Sequence, residues 1–273
     1  MVNNNYLPLS LQEALEIRGR ESVTPYSGGT DLMLNHNENA VYLFLNKVPE
    51  MKNIVEDSEY IRIGAGCTFT NIIEHKLTPM ILKEAALQVA APAIRNFGTV
   101  GGNICNGSPK GDSTLIFFAT DSILRLVSNK GERMIPISEF FLGRNKTDLQ
   151  EDEILVEILM KKTGLSHYYY KKIGARNALA ISRVSFAGIL DIFDNKIIKC
   201  RTAFGAISDV VVSRPEIDAM LIGKTIEEAI RIKMDYLDAY DKVIVPIRGR
   251  VSAEYRKAVC MNLLRDFFEC NGI

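Results

Sequence analysis

Two glycine-centred segments hold the residue types in this chain best suited to chemistry. The longer is Arg95-Asn96-Phe97-Gly98-Thr99-Val100-Gly101-Gly102-Asn103-Ile104-Cys105-Asn106-Gly107-Ser108-Pro109-Lys110-Gly111-Asp112. The shorter, Ser27-Gly28-Gly29-Thr30-Asp31, repeats its paired glycines, hydroxyl and carboxylate. Lacking a Cβ, glycine lets bare backbone approach a ligand at no steric cost. Successive amide N–H groups in such turns form concavities that hold anionic oxygens without a lysine. Two separated cradles predict a long, phosphate-bearing cofactor whose pyrophosphate lies between them. Neither segment is a P-loop, which ends in Gly-Lys-Ser/Thr, nor a G-x-G-x-x-G fingerprint opening a helix after a strand. Either segment alone would read as a tight turn, and it is the matched threonine and aspartate companions that favour a ligand.

Short regular elements must position those loops. Ser10-Leu11-Gln12-Glu13 reads as a capping box that opens a helix over 11–18, closed by Gly19. Residues 23–26 and 40–45 predict brief strands, the first delivering the chain into the shorter glycine loop, and 61–66 a further strand and turn. Thr78-Pro79 predicts a helix with proline at its first position, running to about 90 before Pro92, after which the longer glycine loop follows. Asp112 is placed to cap an apolar helix over 113–120, a role that competes with ligand binding. Residues 123–127 and 133–137 predict a hairpin joined by Asn129-Lys130-Gly131, and 153–160 the last strand of an N-terminal domain.

Beyond that point 168–172, 182–191 and 197–206 predict three strands, the last two joined at Asp194-Asn195. A second capping box, Thr225-Ile226-Glu227-Glu228, opens a helix. Residues 241–250, with Pro246 and Gly249, predict a surface loop. Over the final helix Tyr255, Ala258, Val259, Leu263 and Phe267 trace an apolar stripe, read as core.

Composition narrows the function classes. The 273 residues, 47% hydrophobic and 24% charged, are enough for two domains with substantial cores. Thirty-three basic residues balance thirty-three acidic ones, without the clustered positive face that nucleic acid demands. Apolar runs are short and Met1-Val2-Asn3-Asn4-Asn5 lacks the regions of a secretory signal, so a cytoplasmic protein with no membrane segment is expected. Cys67, Cys105, Cys200, Cys260 and Cys270 are scattered and odd in number, which predicts reduced thiols and no iron–sulfur or metal set in this chain. His36, His75 and His167 form no ligand pair and are expected at the surface or in loops.

Ser27-Gly28-Gly29-Thr30-Asp31, then Ile94-Arg95-Asn96, Thr99-Val100-Gly101-Gly102-Asn103-Ile104, Ser108-Pro109 and Asp112, together resemble the FAD-binding medium subunits of molybdenum hydroxylases. That group includes xanthine, nicotinate, aldehyde and carbon monoxide dehydrogenases. The resemblance runs nearly end to end and implies an α+β fold. It would comprise a two-subdomain FAD-binding domain of the vanillyl-alcohol oxidase / p-cresol methylhydroxylase type over 1–164, split near 56. A small α+β C-terminal domain of the carbon monoxide dehydrogenase flavoprotein type, a three-stranded antiparallel sheet plus helices, would follow over 165–273.

By the same resemblance, noncovalent FAD is held by Ser27, Gly28, Gly29, Thr30, Asp31, Thr99, Gly101, Gly102, Asn103, Ser108, Asp112, Leu155 and Arg183. Molybdenum cofactor and 2Fe-2S clusters are implied only on partner chains, a large and a small subunit respectively. Electrons would run from the clusters through FAD to NAD(P)+ or another acceptor. No catalytic residue is assigned, because the flavin carries the redox chemistry while the protein binds, positions and tunes it. Two-electron reduction places negative charge near N1 and the C2 carbonyl, so a fixed cation there favours the reduced flavin. Arg183, sharing a strand face with Ile181 and Ser185, resembles a flavin-contacting lysine in xanthine dehydrogenases; an exposed strand arginine is the competing reading.

Tyr168, Tyr169 and Tyr170 are candidates for packing on the ring, Ile154 and Leu155 resemble an apolar position bordering it, and Val89 resembles another contact. For each of these, ordinary core packing is the simpler alternative. The chain departs from the family pattern at Gly107 and Gly111, which replace larger residues, and at Leu115, which replaces a frequent proline; a less rigid loop is expected there. Nothing resembles the four-iron insertion of one branch, and His36 and Cys105 are poor candidates for covalent flavin attachment. Two other functions stay open: a self-sufficient flavin oxidoreductase, which would need acid or base residues above N5, and a non-catalytic nucleotide-binding module.

Overall fold

The computed structural model describes residues 5–35, 37–165 and 167–273. The expectations for Met1–Asn4 and for His36 therefore lie outside the described residues. Two compact units interleave along the chain. The first runs to Thr78 and adds Val89–Gly107 and Asp121–Lys161; the second comprises Pro79–Gln88, Ser108–Thr120 and Lys162–Ile273.

In the first unit Ser10 caps α1 (Leu11–Arg20), accepting from the Glu13 amide at 3.2 Å, while the Glu13 carboxylate accepts from the Leu9 amide at 2.8 Å. Gly19 continues inside α1 instead of closing it, with the Asn129 side chain occupying the space a Cβ would need. β1 (Thr24–Tyr26) and β2 (Tyr42–Phe44) pair in parallel. An antiparallel sheet takes the order β3-β4-β9-β5-β6, built from β3 (Ile54–Glu56), β4 (Tyr60–Gly64), β5 (Ile123–Ser128), β6 (Gly131–Pro136) and β9 (Ile154–Lys161). Between β6 and β9 lie β7 (Phe141–Gly143) and β8 (Lys146–Thr147), a small ribbon. Central β9 buries Ile154, Leu155, Val156, Ile158, Leu159 and Met160, a near-continuous apolar run of the kind a strand covered on both faces requires. Besides α1, this unit holds the α-helices α2 (Phe69–Glu74), α4 (Pro92–Arg95), α5 (Val100–Cys105) and α7 (Ile137–Phe140).

The second unit takes α3 (Met80–Leu87) and α6 (Asp112–Ala119). Pro79 sits at the N-cap of α3, one place earlier than expected, and the helix stops at Leu87, well before Pro92, which opens α4. Three long antiparallel strands, β10 (Tyr168–Ile173), β11 (Val184–Phe193) and β12 (Lys196–Gly205), are joined by a two-residue edge strand, β13 (Val212–Ser213), that the three-stranded expectation lacked. Asp194 and Asn195 have φ of 49° and 57°, the left-handed pair that matches a tight hairpin turn to strand twist. After α8 (Pro215–Asp218) come α9 (Ile226–Val243), capped reciprocally by Thr225 and Glu228, and α10 (Ala253–Cys270). The first part of the expected 241–250 loop thus belongs to α9.

Phe186, Phe204, Tyr236, Tyr240, Phe267 and Phe268 form the aromatic centre of this core. The α10 face that packs there is set by Arg256, Cys260, Leu263, Leu264, Phe267 and Phe268; Tyr255 stays 45% exposed, so the expected stripe began on the wrong residue.

A carboxylate is sealed into this core. Asp218 accepts from the hydroxyls of Tyr236 at 2.7 Å, Tyr240 at 2.9 Å and Thr202 at 2.9 Å, and from the Thr202 amide at 3.0 Å. Burial pushes its carboxyl above the ordinary aspartate value, against the pull of those donors. A group with a raised native pKa contributes stability in full below its unfolded pKa and loses it as pH rises through the native one. Asp218→Ala, which takes the acceptor from three buried hydroxyls and the Thr202 amide, is expected to cost about 2–4 kcal/mol. Urea unfolding across pH should show that penalty shrinking as pH climbs above the ordinary aspartate range; a penalty that grows instead would refute the assignment.

Candidate functional site

The shorter glycine loop turns directly out of β1. Gly28 packs so tightly that a Cβ there would lie 2.0 Å from the Phe97 carbonyl oxygen and 3.0 Å from the Gly98 Cα. Gly29 has φ of +68° and stands over the Tyr26 ring. The Thr99 hydroxyl donates to the Ser27 hydroxyl at 3.0 Å and accepts from the Gly102 amide at 3.1 Å. The two glycine segments are thus in contact within the first unit, as the pyrophosphate reading requires.

Among the described residues, the backbone N–H groups of Gly28, Gly29, Thr30 and Asp31 have no acceptor in the protein. Ser27, having accepted from Thr99, keeps its own proton to donate, and the Thr30 hydroxyl has no partner among the described residues. A left-handed glycine among successive free amides is the geometry of an anion nest, and it needs no cation. Asp31 ends the turn exposed, an acceptor suited to a hydroxyl.

The longer segment works differently from its expected role. Residues 100–105 are helical, and the amides of Val100, Gly101, Gly102 and Asn103 are spent on Cys67 and Ala65 carbonyls, the Thr99 hydroxyl and the Thr99 carbonyl. Gly101 is a packing glycine, because a Cβ there would sit 2.6 Å from both the Cβ and the carbonyl oxygen of Ala65. Its amide therefore does not face an anion, and the expectation that it does is corrected. Gly107 is likewise no loosening element. It is buried at φ +65°, a Cβ would lie 3.0 Å from the Asn145 Cα, and its carbonyl accepts from the Asn145 amide at 3.0 Å.

In the second unit Gly111, not Asp112, occupies the N-cap of α6, and no side chain caps that helix. The Asp112 carboxylate turns inward instead. It meets the Lys172 ammonium at 2.6 Å and accepts from the Ser182 hydroxyl at 2.9 Å, while Lys172 also donates to the Gln88 carbonyl at 2.8 Å. Both charged side chains are buried, 7% and 8% exposed. Burial pushes the Asp112 carboxyl up, opposed by Lys172 and Ser182. Ser108 accepts at its hydroxyl from the Lys110 amide at 3.3 Å, and the Pro109 carbonyl accepts from the Ala206 amide at 2.8 Å, tying this segment to the end of β12.

Arg183 stands one residue before β11, not within it; its amide donates to the Ile173 carbonyl at 2.8 Å. Its guanidinium has no hydrogen-bond or ion-pair partner among the described residues. Lys172 and Ser182 were missed by sequence reasoning. The one available sign was alternation, which puts Tyr168, Tyr170 and Lys172 on a common face of β10. Tyr168 donates to Glu84 at 2.7 Å, Tyr170 is buried, and Tyr169 packs the other way on Phe186 and Phe267. Leu155 is buried in β9, and Val89 lies beyond the end of α3 rather than on it.

No group of three or more metal-ligating side chains occurs among the described residues, and all five cysteines are free. Burial pushes the Cys105 thiol up to about 12, which leaves it a poor nucleophile for flavin attachment. Among the described residues no helix is long and apolar enough to cross a membrane.

Comparison with known proteins gives the same reading. Residues 2–160 match the family described as the FAD binding domain in molybdopterin dehydrogenase, and residues 168–270 the CO dehydrogenase flavoprotein C-terminal domain. The putative xanthine dehydrogenase FAD-binding subunit of Escherichia coli (strain K12) is 34% identical over 193 residues, 66% of this chain and 65% of that protein. The match thus spans just under two thirds of that relative. The nicotinate dehydrogenase FAD-subunit of Eubacterium barkeri is 28% identical over 96% of this chain and 94% of its own length. A chain of the carbon monoxide dehydrogenase from Hydrogenophaga pseudoflava superposes with a TM-score of 0.86 at 25% identity, covering 97% of this chain and 96% of that one. With its α+β architecture and these matches, the chain belongs to the family of FAD-binding medium subunits of the molybdenum hydroxylases.

Proposed function

We propose that the chain binds FAD noncovalently and works as the electron-exit subunit of a molybdenum-containing hydroxylase or dehydrogenase in the cytoplasm. In this reading a small partner subunit with 2Fe-2S clusters delivers electrons, a large subunit carries the molybdenum cofactor, and NAD(P)+ or another acceptor takes electron pairs away. One observation carries the proposal: four consecutive backbone amides, of residues 28–31, without an acceptor among the described residues, beside the Ser27 and Thr30 hydroxyls. That donor set fits a pyrophosphate, whose charge the nest stabilises without a lysine.

The chain's own residues bind and orient. Thr99, held by the Gly102 amide, fixes the Ser27 hydroxyl, and Gly28 lets the two loops approach, while Gly101 and Asn103 are cofactor residues by resemblance. Asp31 suits a ribose hydroxyl. Ser108, Asp112, Leu155 and Arg183 are cofactor residues by resemblance, Leu155 as an apolar border and Arg183 as the cation that favours the reduced state. Bound flavin supplies the conversion between one-electron and two-electron transfer. No acid–base pair is required of the protein. A domain boundary at 164/165, with a further split near 56, belongs to the same proposal.

Reconstituting the full chain with FAD should give one flavin per chain, released intact on denaturation, and partner chains identified by mass should co-purify from the native source. No flavin uptake would overturn the proposal. Bleaching of the flavin by substrate in the isolated chain would replace it with a self-sufficient oxidoreductase, and a holo-complex whose flavin no donor or acceptor reduces or reoxidises would leave only a nucleotide-binding module.

A further inference from the structure

The start of α10 and the loop before it are assigned no part in that scheme, yet they hold a buried charge without a counterion. Arg256, in the first turn of α10, is 5% exposed. Its Nη1 donates to the Ala206 carbonyl at 2.8 Å, while its buried Nε has no partner. No carboxylate pairs with this guanidinium among the described residues. Arginine is seldom buried so deeply unless paired, because one carbonyl compensates only part of the desolvation of a full charge.

Around that guanidinium stands more positive charge. Side chains on a helix lean toward its N-terminus, so Arg256 reaches back to the loop that precedes α10. There its Nη2, also without a hydrogen-bond partner, lies against Gly249, where a Cβ would fall 2.3 Å from it. Arg248 and Arg250 flank that glycine, both exposed and both without a hydrogen-bond or ion-pair partner among the described residues. Successive Cα atoms are about 3.8 Å apart, which puts each of the two within about 8 Å of Nη2, a span that an arginine side chain bridges. The neighbouring carboxylates are taken: Asp241 pairs with Lys257 at 3.0 Å, Glu254 is held by its own amide and the Ser252 hydroxyl, and Asp209 is likewise engaged. All of these residues belong to the second compact unit.

We propose that Arg248, Arg250 and the Nη2 of Arg256 form a binding site for a phosphate-type oxyanion, either inorganic phosphate or the phosphoryl group of a small ester. Guanidinium forks match phosphate oxygens two at a time, and a dianion with at least three free oxygens engages several forks at once, which a single carboxylate does not. Bound there, the anion is the counterion that Arg256 lacks. The inference does not depend on the flavin reading.

Calorimetric titration of the FAD-loaded full chain in chloride buffer at constant ionic strength tests it, with inorganic phosphate in one arm and glycerol phosphate in the other. At least one should bind with a Kd below about 1 mM, and the tighter of the two identifies the source as the free ion or an ester. Arg248→Gln combined with Arg250→Gln should keep its flavin and its melting temperature but bind the anion about 10-fold or more weakly. Arg256→Lys, which retains the charge and loses the fork, should weaken binding too; should it fail to fold, the double variant carries the comparison alone. No binding in either arm at about 10 mM overturns the proposal. So does a double variant that binds like the wild type, which would put the anion elsewhere, or a polyglutamate peptide that binds where neither phosphate does. A chain that takes up no FAD is titrated unloaded, and the double variant then separates this site from the glycine loop.

Discussion

Replacing Gly28 with alanine is expected to weaken FAD binding by about 10- to 100-fold, the equivalent of losing one or two charge-assisted amide contacts. The Cβ would fall 2.0 Å from the Phe97 carbonyl oxygen and 2.6 Å from its carbon. Both are backbone atoms that no rotamer change can move. One of the two loops must therefore shift, carrying the Gly28–Asp31 amides out of register and pulling on the 3.0 Å bond between Thr99 and Ser27. Overpacking of this kind costs about 1–3 kcal/mol in fold stability as well. Flavin fluorescence titration against the wild type reads the loss, and a G28A chain that binds FAD like the wild type would rule out the nest.

Asp112→Ala should be the most destabilising of the site substitutions. It leaves the Lys172 ammonium buried, 7% exposed, with the Gln88 carbonyl as its one remaining hydrogen-bond partner among the described residues. Removing one partner of a buried pair costs about 3–5 kcal/mol, a large part of the roughly 5–15 kcal/mol that holds a typical domain together. The double replacement Asp112→Leu with Lys172→Met should recover most of that loss, since neither charge then needs a counterion. Urea denaturation of the three proteins provides the comparison. A D112A penalty below about 1 kcal/mol would mean that the pair behaves as an exposed one.

The features legible in the sequence were the local ones. Asp194-Asn195 announced its hairpin because the left-handed turn is decided within two residues, and Thr225 with Glu228 announced a helix start because both halves of the cap lie in one turn. Glycine spacing located close backbone approach but not what approached. At Gly101 the neighbour is Ala65 and at Gly107 it is Asn145, so a glycine that admits protein looks the same in sequence as one that admits a ligand. The Asp112–Lys172–Ser182 cluster spans separations of 60 and 70 residues, beyond any local pattern. For α10, an apolar series beginning at Tyr255 missed that Arg256 can be buried when its guanidinium finds the Ala206 carbonyl, and the packed face moved accordingly.

Every residue of α6 is buried, and the strands it packs against, β11 and β12, are encoded far downstream. During synthesis the ribosome therefore releases this apolar segment well before its resting place exists. Until the hairpin ending at Gly205 has emerged, the nascent chain carries an adhesive stretch of which α3 covers only one side. Translation stalled, or a polypeptide nicked, anywhere between Lys161 and Gly205 would yield an aggregation-prone fragment rather than an independent N-terminal half.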